Sequence, residues 1–537
     1  MKENTLFWKF FTRRSLFCFI LIMFLFLSCV LRVTVISTSN YKEVQSTQNS
    51  LKLSVTKQRG TIFDCNLIPI TNSNKKIIAA ISPTPKAITA ISNVLSGENL
   101  NNVLERLKYG KPILCELPKE IECDGIACTT VYEHSNSKTP AIHLIGYTDA
   151  DFKGITGIEK AYDDILYSDK EICFSYECDG KGDILNGISP KIINNTSVVA
   201  NGVVTTIDIN IQNIAESAAN NLETGAIVIA DAKTGKIRAT VSKPYFDCKN
   251  VSSYLTKKDS PLLNRAINAY CVGSVFKPCI AIAGIENNLQ NFCYNCTGSC
   301  EIIDRFFKCH KRDGHGFFDL RSALAYSCNT YFFNFAFKIG KDEIYKTASS
   351  LRFGQALKLA DGIYTSKGNI PQKDTLKNIA HLANFSIGQG DLLLSPISIL
   401  TLYCAIASNG TYYIPSVTEG ILLDGDLEKY NIGNPTRVMS EETARMIRKY
   451  LEAVLSEGTG DSAKPKKISA AGKTATAQTG KYKNGIEICQ GWFCGFFPAE
   501  NPKYVVTVFS EDINRQKLSC AKIFAQIADD ISGLSTF

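Results

Sequence analysis

The chain has no dense block of basic residues. Its 59 Lys and Arg against 51 Asp and Glu leave a formal charge of +8, but the excess is spread over 537 residues. That distribution argues weakly for an anionic surface nearby and gives no footing for nucleic acid. Charge-rich, core-poor composition is missing as well: charged residues are 20% and hydrophobic residues 45%, which excludes a largely disordered chain. No internal repeat or low-complexity tract is evident. A chain this long exceeds what one hydrophobic core organises, so two or more domains are expected.

Charge is also absent from Ser15 to Leu31, "SLFCFILIMFLFLSCVL", a run preceded by Lys2, Lys9, Arg13 and Arg14. Its length is close to the ~17–25 residues that span a bilayer. A cleaved signal peptide has a shorter apolar core that ends in small residues, and no A-x-A-like site follows here. A lipoprotein signal ending at Cys29 is opposed by Phe26-Leu27-Ser28, a poor lipobox. The expectation is a cytoplasmic tail over 1–14 and an uncleaved transmembrane signal anchor over 15–36. The positive-inside bias then puts the chain beyond Arg32 outside the cytoplasm.

Twenty cysteines in an exported chain would ordinarily suggest disulfides. Here they are scattered, and Cys271, Cys279, Cys328, Cys404 and Cys494 fall in apolar segments as small core residues do. One cluster differs, "CYNCTGSCEIIDRFFKCHKRDGHG", with Cys293, Cys296, Cys300 and Cys309 close in sequence. Three readings stay open for it: a reduced loop, a Cys296–Cys309 disulfide, or a zinc site made from the four thiols.

Organisation changes along the chain. Leu53 to about Thr206 mixes short strand-like runs with polar loops and reads as a separate β-rich module over 53–200. From Thr205, "TTIDINIQNIAESAANNL" has helical period, with Ile211, Ile214, Ala215 and Ala218 on one face. "GAIVIADAKTGKIRATVS" follows as two β-rich runs around Lys233-Thr234-Gly235, a hairpin by its turn chemistry. Beyond Ser274 the chain is mainly helical. Strand character returns at "KKISAAGKTATAQTG" and at "GWFCGFFPAENPKYVVTVFS", a hairpin turning at Ala499-Glu500-Asn501-Pro502. The closing "CAKIFAQIADDIS" aligns Ile523, Ile527 and Ile531 on one helical stripe. Strands from both ends of the 205–537 segment, with helices between and after, imply one antiparallel sheet packed by helices.

Three short motifs carry chemistry. In "CVGSVFKPCIAIAGIE", Ser274 and Lys277 are three apart and share a helix face. Pro278 is best tolerated in a first turn, so a helix is expected to begin at or just before Ser274. The unpaired amides and positive dipole end there favour a developing alkoxide. A serine attacks only when a base takes its proton, and lysine is a base only when neutral. Bringing its pKa from ~10.4 to ~7–8 is a shift of about three units, roughly 4 kcal/mol against the charged form. Alone, S-x-x-K is a weak signal and reads as an exposed helix start. In "AYSCNTYFF", Ser327 can relay a proton and Asn329 can hold a carbonyl while bonding a lysine; alone, this is a turn or a cap. In "GKTATAQTG", strand geometry puts Thr474 and Thr476 on one face beside a cationic Lys473; alone, this is an ordinary exposed strand. S-x-x-K, S-x-N and K-T-x in this order form the set found in penicillin-binding proteins and serine β-lactamases.

On these motifs the chain resembles a class B penicillin-binding protein nearly end to end. "RGTIFDCNLIPI" and "HLIGYTDADFKGITGIEKAYDDIL" resemble parts of that family's N-terminal module. "TIDINIQ", "NRAINAYCVGSVFKP", "DGHGF", "FSIGQGDLLLSP" and "GWFCGFFP" resemble segments of its transpeptidase domain. The resemblance implies an α/β fold of the α+β type. A serine β-lactamase/penicillin-binding-protein-like transpeptidase domain over 205–537 would follow an elongated pedestal or dimerisation-like module and one transmembrane helix. It implies that Ser274 acylates on the penultimate D-alanine of a peptidoglycan stem peptide, with Lys277 as base, Ser327 as proton relay and Asn329 orienting substrate and lysine. Lys473, Thr474 and Thr476, with Ala475 between the threonines, would hold the terminal carboxylate, and the backbone amides of Ser274 and Thr476 would form the oxyanion hole. β-Lactams would inhibit by acylating the same serine. No cofactor is implied. The implied partners are stem peptides, the cytoplasmic membrane of a bacterial cell, a membrane-spanning glycosyltransferase and other cell-wall assembly proteins.

One departure stands out: the family's third motif is usually K-T-G, and here Lys473-Thr474 is followed by Ala475. The expectation is retained chemistry with altered β-lactam affinity. A β-lactamase or a D,D-carboxypeptidase would share the site but would not account for the large N-terminal module and N-terminal anchor. A bifunctional relative would need a glycosyltransferase domain ahead of Thr205, for which no motif is present. Outside the enzymes, a scaffold or β-lactam sensor with a vestigial site is the competing reading, and Ala475 is its only support.

Overall fold

The computed structural model describes residues 2–38, 50–135, 137–185, 188–194, 197–302, 305–431, 433–535 and 537. A single long helix, α1 (Lys2–Thr38), opens the chain. Its stretch Phe11–Val35 has a mean hydropathy of 2.7 and is long and apolar enough to cross a membrane. At 1.5 Å per residue it covers about 37 Å against a hydrocarbon core of about 30 Å. Within it Ser15 Oγ donates to Phe11 O and Thr34 Oγ1 to Leu31 O, bonds that satisfy a hydroxyl inside its own helix.

Beyond α1 the chain forms two compact units that interleave in sequence. One takes Lys76–Val131 and Lys170–Asn195 with the segment up to Lys57; the other takes Gln58–Lys75, Tyr132–Asp169 and Thr196–Phe537. In the first, strands Ile113–Leu117, Asn74–Ile81 and Ile126–Glu133 make one three-stranded sheet, and Ser50–Lys57, Glu171–Glu177 and Lys191–Ile193 another. Two helices, Pro85–Ser92 and Gly97–Leu107, bury Ala87, Ile91, Val103 and Leu107 in a core with Ala79 and Ile81.

The second unit explains why Gln58–Lys75 and Tyr132–Asp169 leave their sequence neighbours. Strand Thr61–Phe63 pairs in parallel with Gly202–Thr205, which pairs in turn with Thr418–Leu423. Arg59 is fully buried here: Nε donates to Glu159 Oε2 at 2.7 Å, Nη2 to Glu159 O at 2.8 Å and Nη1 to Phe152 O at 2.7 Å. His134 meets the other Glu159 oxygen at 2.7 Å and Asn72 Oδ1 at 3.1 Å. Burial alone would raise the Glu159 carboxyl, but His134 and Arg59 outweigh it and hold it below the usual range.

The main sheet comes from the two ends of the same unit. Its strands are β1 (Gly225–Asp231), β2 (Ile237–Lys243), β3 (Ala471–Lys483), β4 (Ile486–Phe497) and β5 (Tyr504–Ser510), all antiparallel in the spatial order β2-β1-β5-β4-β3. The β1–β2 hairpin turns at Gly235 with φ +70°, as its turn chemistry predicts. Helix α2 (Ile209–Ala218) is capped by Asp208 and buries Ile211, Ala215 and Ala218, with Gln212 added. Gln212 is tolerated there because its side-chain amide exchanges bonds with the backbone of Thr240.

Helices cover both faces. Phe493 of β4 meets Phe524 of the closing helix α7 (Cys520–Ser532) with ring centroids 4.4 Å apart. The next residue, Cys494, faces α5 (Pro396–Ala407), where Tyr403 and Cys404 lie. Successive side chains point to opposite faces of a strand, which is why "GWFCGFF" is buried throughout. Of the cysteines expected in the core, Cys279, Cys328, Cys404 and Cys494 are buried; Cys271 is only half-buried, at a short strand next to β3. The stretch expected to be mainly helical also carries β-ribbons, Tyr294–Cys296 with Gly316–Phe318 and Ser299–Ile302 with Arg305–Lys308.

Candidate active site

The S-x-x-K stretch begins one turn earlier than an α-helix would. Gly273–Phe276 forms a 3-10 turn and α3 runs from Lys277 to Glu286, with Pro278 in its first turn. Proline is free there because that amide has no helical partner. Ser274 lies in the 3-10 turn and Lys277 opens the α-helix that follows it. The turn is seated by Gly388: Gly273 N donates to Gly388 O at 2.8 Å. Gly388 has φ +75°, and a Cβ on it would stand 2.0 Å from Gly273 O. That close approach gives "FSIGQG" its physical reason.

Ser327 occupies the left-handed region, φ +57°, between the helix Leu320–Ala325 and α4 (Asn329–Ile339). For a non-glycine residue this costs of order 1–3 kcal/mol, and such strain concentrates at functional sites. On β3, Lys473, Ala475 and Ala477 point inward, while Thr474 and Thr476 share the other face, as strand periodicity predicts. β3 lies at the sheet edge and packs against the Gly273 turn. A Cβ on Gly273 would lie 3.4 Å from the methyl of Ala475. The residue that departs from K-T-G therefore lies against the Ser274 turn.

Lys277 joins the motifs. It is fully buried, and its Nζ donates to Ser327 O at 2.7 Å, Ser327 Oγ at 3.1 Å and Asn329 Oδ1 at 2.7 Å. Ser327 Oγ lies 3.0 Å from Ser274 Oγ. The face of Phe332 closes the amine from the side, 5.2 Å from Nζ to the ring centre. Burial lowers the Lys277 pKa to about 7, against a small opposing pull from Cys328 and Cys309. A neutral amine has two hydrogens and one lone pair. Ser327 O and Asn329 Oδ1 can only accept, so they take the hydrogens and the lone pair faces the Ser327 hydroxyl. The resulting chain runs from Ser274 through Ser327 to Lys277.

Lys473 reads from the sequence as a fixed cation beside the threonines. It is fully buried, and burial together with the Lys277 charge holds it well below the usual lysine range. Its Nζ donates to Thr474 O at 3.1 Å and Thr459 Oγ1 at 3.4 Å, and Thr459 Oγ1 lies 3.1 Å from Thr474 Oγ1. Thr459 is a site residue that sequence reasoning missed; a lone threonine in a loop carries no signal. Gly388 had one, the doublet in "GQG".

Of the three readings left open for the cysteine cluster, neither the four-thiol set nor the Cys296–Cys309 disulfide is what assembles. Cys293 is exposed and Cys300 packs toward the Ile302, Phe333 and Ala383 cluster. Cys296 and Cys309 come together unlinked, and their companions are His315 and Cys328. Pleating explains the change: Cys300 lies on the ribbon after Cys296, and its side chain turns to the Phe333 side. Hydrogen bonds from Cys328 and His310 and from the amides of Asn329 and Lys311 pull the Cys309 thiol down, while Cys309 and burial push Cys328 up.

Residues 225–531 match the family model described as the penicillin-binding protein transpeptidase domain. Stage V sporulation protein D of Bacillus subtilis is 28% identical over 491 residues, covering 84% of this chain and 74% of that protein. The peptidoglycan D,D-transpeptidase MrdA of Acinetobacter baumannii is 26% identical over 431 residues, 71% of this chain and 61% of its own length. Among solved structures, penicillin-binding protein 3 of Mycobacterium tuberculosis in complex with aztreonam aligns with a TM-score of 0.64 at 22% identity, covering 89% of this chain and 96% of that one. A D,D-transpeptidase domain from Eggerthella lenta gives 0.63 at 22% identity, covering 89% of this chain and all of that one.

Proposed function

The chain belongs to the penicillin-binding-protein transpeptidase family, and from that premise we propose that it is a serine-type peptidoglycan D,D-transpeptidase acting through an acyl-enzyme on Ser274. The observation that carries this reading is the buried Lys277 amine, joined to Ser274 through Ser327 and held by Asn329. Ser274 Oγ attacks the carbonyl of the penultimate D-alanine as its proton passes through Ser327 to Lys277. The oxyanion that forms is received by the amides of Ser274 and Thr476, on the turn and the edge strand that pack together. When the C–N bond breaks, the departing D-alanine nitrogen takes the proton back by the same route, leaving an ester on Ser274. The amine of a second stem peptide then attacks the ester and gives up its proton, which restores the Ser274 hydroxyl and closes the cross-link.

The edge position of β3 supports how the donor peptide lies: an extended peptide adds beside an open strand edge, with Thr474 and Thr476 toward its terminal carboxylate. Lys473 acts from behind, holding Thr459 and the Thr474 carbonyl. β-Lactams acylate the same serine. The N-terminal helix anchors the protein, with its transpeptidase domain on the outer side of a bacterial membrane. There it works beside a membrane-spanning glycosyltransferase and other cell-wall assembly proteins. Labelling by a fluorescent penicillin that vanishes in Ser274→Ala, together with D-alanine release from a pentapeptide donor, is the expected result. Ala475 at the site favours one other reading, a scaffold or sensor. Folded parent protein that takes the label without releasing D-alanine would favour the sensor, and one that does neither would favour the scaffold.

A further inference from the structure

Cys296, Cys309, His315 and Cys328 offer one ligand atom each, all within 4.8 Å of one another. The separations within the group are specific: Cys296 Sγ to His315 Nδ1 is 3.5 Å, Cys309 Sγ to the same nitrogen 3.6 Å, and Cys309 Sγ to Cys328 Sγ 4.0 Å. Tetrahedral zinc with bonds of about 2.3 Å to sulfur and about 2.0–2.1 Å to nitrogen sets sulfur–sulfur edges of about 3.8 Å and sulfur–nitrogen edges of about 3.5 Å. The edges observed fit a central ion. The three cysteines are buried and His315 is half-buried, so the site is closed, as structural zinc sites are.

The backbone is built around this group. Cys309 N donates to Gly298 O at 2.9 Å and His315 N to Cys296 O at 3.0 Å, so the loops carrying the ligands are bonded to one another. Gly298 and Gly314 both have positive φ. A Cβ on Gly298 would stand 1.8 Å from Arg312 O, and one on Gly314 would stand 2.3 Å from Cys296 O. Only glycine allows the loops to close to this distance. The fourth ligand, Cys328, is the middle residue of the S-x-N motif, between the strained Ser327 and Asn329.

We propose that Cys296, Cys309, His315 and Cys328 bind one zinc ion, and that this ion ties the two β-ribbons to the start of α4 and so fixes Ser327 and Asn329 against Lys277. Binding takes the cysteines as thiolates and His315 as a neutral imidazole through Nδ1, and the thiol protons pass to solvent. The binding claim is independent of the proposed activity. The positioning claim rests on it.

Metal content of the full-length protein, purified in detergent under reducing conditions, tests the first claim. One zinc per chain is expected, retained in Cys293→Ser and Cys300→Ser and lost in the Cys296→Ser, Cys309→Ser double variant. Exchange for cobalt is expected to give intense tetrahedral visible bands with thiolate charge-transfer, weakened in Cys328→Ser. Parent protein from zinc-supplemented cells with no stoichiometric zinc, or with a Cys296–Cys309 disulfide found by peptide mapping, overturns the site. For the second claim, stripping the metal by chelation is expected to slow penicillin acylation roughly 10–100-fold, with recovery on adding zinc back. Acylation unchanged after complete stripping overturns the positioning role. If the zinc-loaded parent is not acylated at all, the transpeptidase reading fails while the metal measurement still stands.

Discussion

The acylation rate should rise with pH through about 7 and then level off. Lys277 is fully buried, and burial brings its pKa to about 7. Left at its usual value near 10.5, about one amine in 3,000 would be neutral at pH 7; at about 7, half are. Burial thus raises the working base about a thousandfold, at a cost of about 5 kcal/mol to the charged form. The neutral amine is the base, so protonation removes activity: the rate should fall about tenfold per pH unit below 7, to about 1% of its plateau at pH 5. Lys473 faces the same buried space and is itself held down by the Lys277 charge, so the two amines resist being protonated together. Stopped-flow acylation by a chromogenic β-lactam between pH 5 and 9 reads the curve directly. Lys277→Arg, which stays charged, should abolish the rise at a rate about a thousandfold lower. A flat profile, or an inflection near 10 in the parent, would refute the reasoning that burial makes this lysine a base.

Other perturbations separate the parts. Gly388→Ala puts a methyl 2.0 Å from Gly273 O and should slow acylation by about 100-fold through a displaced Ser274 turn, read by the same assay. Ala475→Gly removes the methyl against Gly273; it should lower stability by about 0.5–1 kcal/mol and speed β-lactam acylation about fivefold, the equivalent of ~1 kcal/mol. Equal rates for the two proteins would refute that. Arg59→Ala leaves Glu159 buried beside His134 without its guanidinium and should cost about 3–5 kcal/mol of stability, seen as a lower thermal midpoint.

The site was more legible in the sequence than its surroundings. The grouping of Ser274, Lys277, Ser327 and Asn329 was readable because the motifs set these residues at short, fixed spacings that local turns impose. The hairpin at Gly235 and the stripe on α7 were readable because their periods are local. The Lys473 environment was not: its burial depends on a sheet whose strands come from opposite ends of the domain. Nor were His315 and Cys328 readable as companions of Cys296 and Cys309, since ligand sets form where separate loops meet and sequence proximity favoured Cys293 and Cys300. The interleaving of the two units was hidden for the same reason, because Thr61–Phe63 finds its partner in Gly202–Thr205.

β5 lies between β1 and β4 and is the seam that joins the earliest strands of the sheet to the latest. During synthesis Ser274 emerges long before this seam is available, so a nascent or prematurely terminated chain carries the serine without the sheet that completes its surroundings. Contacts this distant also make folding slow. The arrangement of Ser274, Lys277 and β3 is therefore complete only once β5 is in place, so losing β5 undoes it without touching any of those side chains.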